Sequence, residues 1–223
     1  MSTLFGHFSL NGRALPEVSG CTLVHERLAF HGEVGRCYHD KSSGWVTLCL
    51  GIPENLAELR GYAGLVENSS TAQVISCIFA LYPVADAMQR LGGGVSIIRC
   101  NVKTGEWLLA RDRCGFQRLC YSFSENNSVL NFADSPAPLH TAGAAWSLEA
   151  LTGYLTTGAV PAPFTIYQDI HLVPASKFCH PRAEPTILPP AGGVPLSPAV
   201  PQPPRMKPPK SCCPFYAKRF HGH

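Results

Sequence analysis

The chain has 223 residues, a net charge of +3 and 45% hydrophobic residues, which is enough for one domain of ordinary size with its own core. The charge is too small and too scattered for a nucleic-acid surface, no apolar run approaches the roughly 18 residues that span a bilayer, and no basic-then-apolar signal region opens the chain. These exclusions predict a cytoplasmic protein with no nucleic-acid and no membrane partner.

In chain order, Thr3 to Arg13 reads as a strand closing in the Asn11-Gly12 turn, and Leu23 to Phe30 as one continuous alternating strand. Val46 to Leu50 is an apolar strand. Ser70 to Tyr82 carries apolar residues at helical spacing, with Ser69 or Ser70 as N-cap and Pro83 past its end. A second helix, Val84 to Leu91, stops at Gly92-Gly93-Gly94. That triple glycine follows a helix and precedes a strand, the reverse of a phosphate loop, so it reads as a helix stop and a flexible link.

Strands Val95 to Cys100 and Trp107 to Ala110 are joined by a hairpin with Gly105 where positive φ is needed. Leu119 to Phe123 and Val129 to Ala133, separated by a turn at Glu125 to Ser128, continue this as an antiparallel meander. Arg111, Asp112 and Arg113 read as an ion-paired strand end that holds the turn at Gly115. From about Pro181 prolines dominate, with almost no large apolar residues between them, which predicts a disordered or polyproline II segment. The expected organisation is a domain over residues 1–180 and a Pro-rich tail over 181–223.

The chain has 10 cysteines, most of them scattered singly, several inside apolar strands, and none in a C-x-x-C pair. Reduced thiols are expected, not a disulfide framework. Cys212, Cys213, His221 and His223 have no structural zinc spacing, so no metal and no cofactor is expected.

Two long blocks carry a resemblance. Leu108 to Tyr121, with Leu109-Ala110-Arg111-Asp112-Arg113-Cys114-Gly115 at its centre, resembles the L-x-A-R-D-R-x-G-x-x-x-L-Y-Y strand-turn-strand of class II glutamine amidotransferases, specifically the N-terminal domain of the asparagine synthetase family. Leu151 to Tyr167, followed by Ile170 to Pro174, is similar to the L-x-x-Y-L-x-x-G-x-V-P-x-P-x-T-I-Y segment that leads out of that domain, and Gly6 and Phe8 match its opening strand. The resemblance implies an α+β fold of stacked, mostly antiparallel sheets flanked by helices, the αββα architecture of N-terminal-nucleophile hydrolases. The activity it implies is asparagine biosynthesis, ATP-dependent amide formation with ammonia taken from glutamine.

The same resemblance assigns the site. The family's nucleophile is an N-terminal cysteine exposed by loss of the initiator methionine, and Ser2 stands in its place. A serine hydroxyl is far less acidic than a thiol, whose pKa is about 8.5. The N-G-E motif of the family supplies its oxyanion hole, and Leu50-Gly51-Ile52 keeps only the glycine. Thr71 stands where an S-D-x-E aspartate reads the substrate amino group. His25-Glu26-Arg27-Leu28 resembles the H-x-R-L strand whose arginine binds the glutamine carboxylate, giving Arg27 that role, and an alternative register of Leu28 to Gly35 against L-x-H-R-G-P-D-G removes it. Arg111, Asp112 and Arg113 take a supporting role at the edge of the site. Nothing resembles the S-G-G-x-D-S pyrophosphate loop of the synthetase half.

Three readings stay open from these residues. One is a truncated, degenerate and inactive glutaminase-like domain kept as a structural or partner-binding module. Another is an N-terminal-nucleophile amidase using Ser2, with Arg27 and Gly51 binding substrate. The third is a glutaminase-like subunit that docks on a separate ATP-dependent asparagine-synthetase-like or peptide-cyclising domain. Tyr154, Leu155, Val160, Phe164, Ile166 and Tyr167 are expected either to form a sticky surface that drives self-association or partner binding, or to fold back onto their own sheet.

Overall fold

The computed structural model describes residues 4–16, 21–33, 36–124, 126–141, 143–180 and 183–187. Its strands form two six-stranded sheets, every neighbouring pair antiparallel. The first sheet contains β1 (Phe5–Ser9), β2 (Thr22–His25), β3 (Leu28–His31), β8 (Cys120–Phe123), β9 (Val129–Ala133) and β10 (His171–Leu172), in the order β10-β8-β9-β1-β3-β2. The second contains β4 (Cys37–Asp40), β5 (Trp45–Leu50), β6 (Ser96–Asn101), β7 (Trp107–Arg111), β11 (Lys177–His180) and β12 (Ala183–Ile187), in the order β12-β11-β7-β6-β5-β4. Strands alternate in burial where one face is open (β1, β8, β9) and are buried throughout at the centre of the second sheet (β6, β7).

The sheets stack face to face. Phe8, Leu28, Phe30, Leu130 and Phe132 of the first meet Val46, Leu48, Leu50, Ile98 and Leu109 of the second in one buried cluster. Gly6 belongs to this interface, because a Cβ there would lie 2.8 Å from the Ala29 carbonyl oxygen and against the Phe132 ring. The other face of the second sheet, with Cys49, Ile97, Leu108 and Ala110, is covered by α1 (Leu56–Ala63), α2 (Thr71–Leu81) and α3 (Val84–Arg90). β6 is therefore buried along its whole length. This is the α+β fold of two stacked antiparallel sheets with helices that the resemblance implies.

Helix α2 starts where the sequence places it, with the Ser70 side chain accepting from the Gln73 amide at 3.2 Å. Helix α1, over residues 56–63, is not among the elements expected from the sequence. The reason is that α1 buries one side chain only, Leu59, and contains Gly61, so its apolar periodicity is faint. Helix α4 (Leu148–Thr157), capped by Ser147 and ended by Gly158 at φ 76°, likewise buries Ala150 alone.

One expectation is corrected. Leu23 to Phe30 is not one strand: Glu26 and Arg27 form a tight turn between β2 and β3, and the chain doubles back so that His25 faces Leu28. Within the segment expected to be a tail, β12 adds an edge strand to the second sheet by pairing with β11. Main-chain pairing supplies this strand, and composition does not register it. The rest of the expected tail, 188–223, lies outside the described residues.

Candidate functional site

Arg27 and Gly51 lie at opposite ends of the sandwich. The Arg27 side chain is drawn into the interior, where Nη1 donates to the Val102 carbonyl at 2.7 Å and Nη2 to the Ser9 carbonyl at 3.0 Å. Its guanidinium carbon lies 5.5 Å from the centre of the Phe8 ring. The Val102 amide in turn donates to the Gly44 carbonyl at 2.9 Å, just before β5 begins. Arg27 thus ties the last residue of β1 to the residue that follows β6, next to the start of β5. Gly51 follows the other end of β5, roughly 20 Å away at about 3.3 Å per strand residue. The two residues that the resemblance gives to one substrate are not brought together, and the Arg27 guanidinium is already engaged by main-chain carbonyls.

At the Gly51 end, β1 is fixed through Leu4. Its amide donates to Asp134 Oδ2 at 2.9 Å, and the Asp134 amide donates back to the Leu4 carbonyl at 2.9 Å. Ser2, the nucleophile position of the resemblance, lies outside the described residues.

Gly51 has φ 80°, and a Cβ on it would collide with the Gly94 carbonyl oxygen and stand 3.1 Å from Gln117 Cγ and 3.3 Å from Gln117 Nε2. The flanking residues leave the oxyanion motif without its polar partners: Leu50 is buried in the core and Ile52 is 66% exposed. The Gln117 carboxamide lies beside Gly51, and the main-chain carbonyl of Gln117 accepts from Ser96 Oγ at 3.0 Å. Sequence reasoning missed it. Its only signal was its place in the turn after Arg111-Asp112-Arg113.

That turn is held through main-chain groups and not by an ion-paired strand end as expected. Arg111 Nε donates to the Gln117 carbonyl at 2.8 Å, Nη2 to the Gly115 carbonyl at 2.6 Å and Nη1 to the Val173 carbonyl at 3.0 Å. Asp112 Oδ1 accepts from the amides of Cys114 and Phe116, each at 3.0 Å, and Oδ2 from that of Gln117 at 3.1 Å. Burial pulls the Arg111 guanidinium below its ordinary value, with the Asp112 carboxylate opposing. Arg113 and Cys114 are exposed at the tip.

Between this turn and Gly92-Gly93 lies a cleft of 360 Å3, lined also by Glu54, Met88 and Leu91. Thr71, at the position of the family's amino-reading aspartate, is the first residue of α2 and does not line it. The eight described cysteines are free thiols, and among the described residues no three His, Cys, Asp or Glu side chains converge as metal ligands. No described helix is long and apolar enough to cross a membrane.

A family model of the glutamine amidotransferase domain matches residues 17–187. The chain belongs to the glutamine amidotransferase domain family. No curated protein matches it. Among solved structures, this amidotransferase domain is similar to the allosteric regulatory enzyme of purine biosynthesis, with 11% identity, 80% of this chain and 41% of that chain covered, and a TM-score of 0.50. Glutamine phosphoribosylpyrophosphate amidotransferase from B. subtilis is 11% identical, with 81% and 43% covered and a TM-score of 0.47. A glutamine aminotransferase class-II domain protein from Silicibacter pomeroyi is 8% identical, with 80% and 93% covered and a TM-score of 0.43. The chain spans less than half the length of the first two.

Proposed function

We propose that this chain is a non-catalytic glutamine amidotransferase domain of the asparagine-synthetase type, serving as a structural or partner-binding module in the cytoplasm. The observation that carries the reading is the separation of Arg27 from Gly51. With the only arginine of the H-x-R-L match bonded to Ser9 and Val102 at the far end of β1, nothing in that match is left to hold a glutamine carboxylate beside the oxyanion glycine. The loss of polar partners at Leu50 and Ile52 adds a penalty of about a hundred- to a thousandfold in rate for each oxyanion donor removed.

Ammonia release from the purified full chain in millimolar glutamine tests this, and none above the buffer is expected. Glutamine-dependent release abolished by Ser2→Ala overturns it in favour of the N-terminal-nucleophile amidase.

A second reading is favoured by α4. Trp146, Leu148, Tyr154 and Leu155 are 62%, 73%, 57% and 82% exposed, a group of large apolar side chains on and just before one helix that no described element covers. It supports a glutaminase-like subunit that docks this helix on a separate ATP-dependent synthetase domain. Of the six residues expected to be sticky, Tyr154, Leu155 and Val160 are exposed, whereas Phe164, Ile166 and Tyr167 are partly covered, Tyr167 stacking 4.2 Å from His140. Sedimentation of the chain against a Leu148→Glu, Leu155→Glu double variant tests the reading: association by the parent alone supports an interaction face, and identical monomers count against it.

A further inference from the structure

We propose that residues 188–223 fold back on their own domain and cover the apolar face of α4, with a ridge of prolines in the polyproline II conformation set against Trp146, Leu148 and Leu155. This goes beyond the readings above, since the face is filled in cis by a segment of the same chain.

The face itself is the first argument. At 3.6 residues per turn Leu148, Leu151 and Leu155 form one stripe of α4, with Tyr154 on its flank and Trp146 just before it, and all five are exposed. The one side chain that α4 buries is Ala150. An amphipathic helix ordinarily turns such a stripe toward a core. Here the stripe points away from the domain.

The second argument is a repeat in the sequence. Pro195, Pro198, Pro201 and Pro204 recur at every third residue, and polyproline II has three residues per turn, so their rings align as one ridge. Successive prolines of the ridge are about 9 Å apart, close to the roughly 10 Å between Leu148 and Leu155 along α4. Segments preordered in this way dock on aromatic-lined surfaces at low entropic cost. Trp146 and Tyr154 supply the aromatic rings.

Charge is the third. The net charge of +3 divides into +5 over residues 188–223, from Arg205, Lys207, Lys210, Lys218 and Arg219 with no Asp or Glu, and −2 over residues 1–187. Residues 136–170, which include α4, contain no Lys or Arg and carry Glu149 and Asp169, both exposed. The basic residues that follow the ridge therefore find an acidic surface beside the apolar one.

Reach is the fourth. Strands β10 and β12 are the edge strands on one side of the sandwich, since their neighbours β8 and β11 meet through Tyr121 and Cys179. The start of α4 is fixed to the segment that enters β10: the Ser147 amide donates to the Ile166 carbonyl at 2.9 Å, and the Gln168 amide to the Ala145 carbonyl at 3.0 Å. β12 ends at Ile187, opposite Lys177, soon after the chain leaves β10. Leu188 to Val194 can extend to about 24 Å, more than the roughly 10 Å between stacked sheets. So short a linker holds the ridge at an effective concentration in the millimolar range, where a weak contact is enough to keep it docked.

Acrylamide quenching of tryptophan fluorescence tests this on the full chain. Trp146 is the exposed member of the three tryptophans, and comparison with Trp146→Phe isolates its signal. Trp146 of the parent should be quenched at least about threefold less readily than in a variant with Pro195, Pro198, Pro201 and Pro204 all changed to Gly, at every protein concentration. A second variant, Arg205→Glu with Lys207→Glu and Lys210→Glu, keeps the ridge and should fall between the two. Sedimentation of the same samples should show a monomeric parent. Equal quenching of Trp146 in the parent and both variants overturns the proposal. Shielding that disappears on dilution together with a dimer also overturns it, and gives the face to a partner in trans. Neither result bears on ammonia release, so the covered face and the non-catalytic reading stand or fall separately.

Discussion

Arg111 and Asp112, consecutive in the chain, hold the Cys114–Gln117 turn from its two complementary sets of main-chain groups: the guanidinium takes the carbonyls of Gly115 and Gln117, and the carboxylate takes the amides of Cys114, Phe116 and Gln117. The turn carries one wall of the cleft, and its last residue reaches Gly51. Charge-assisted bonds of this kind contribute roughly 1.5–3 kcal/mol each in net terms.

Asp112→Ala should therefore lower unfolding stability by about 3 kcal/mol, since it leaves three amides without their acceptor and solvent recovers part of the loss. Arg113→Gln, one residue on and exposed, should stay within about 0.5 kcal/mol of the parent. Urea unfolding of the three proteins measures the contrast, and equal effects at the two positions would refute the clamp.

Gly51→Ala should be costly whatever the chemistry of the site. The backbone there has φ 80°, which disfavours a Cβ by about 1–2 kcal/mol, and the Gly94 carbonyl occupies the space a methyl needs. A loss of at least about 2 kcal/mol is expected from chemical denaturation. By comparison Gly12→Ala, also at positive φ but with nothing within 4 Å of its Cβ, should cost only the backbone part.

His39 supplies a pH dependence. Burial, followed by repulsion from His25 and Lys41, lowers its pKa below the usual 6.5, with Asp40 opposing weakly. The folded state then binds its proton less readily than the unfolded state, so this contribution to stability is present above about pH 6.5 and is lost as pH falls below it. The ring of His25 lies 6.2 Å away, joining an edge strand of each sheet. Thermal melts at neutral pH and about pH 5.5 should show a smaller drop for His39→Gln than for the parent; an equal drop would assign the acid sensitivity to other groups.

Thiol reactivity should separate the cysteines. Burial pushes Cys49 up to about 12 and Cys37 and Cys120 up to about 11, and Cys100 is raised further by complete burial. Cys114 is exposed at the tip of its turn. Brief alkylation of the folded protein at pH 8, followed by peptide mass mapping, should modify Cys114 well before Cys49, Cys100 and Cys120. Uniform labelling would indicate that the two-sheet core opens readily.

What the chain declares locally, the sequence determined. The short β-prone runs of β6 to β9, the Ser70 cap and apolar spacing of α2, and the glycine in the β6–β7 hairpin all depend on neighbours within a few residues, and they were legible for that reason. The two long motifs likewise pointed to the family from linear order alone. Tertiary structure decided the rest. The turn at Glu26-Arg27 is set by carbonyls of Ser9 and Val102, which come from two other elements of the fold and leave no trace in the alternation of Leu23 to Phe30. The same fold brings Gln117 to Gly51 and Glu54 to the cleft that Arg113 lines, contacts that exist only once β5, β6 and β7 are in register and the turns at their ends converge. Side-chain period tells which face a residue takes; sheet register and packing between distant segments tell what it meets there.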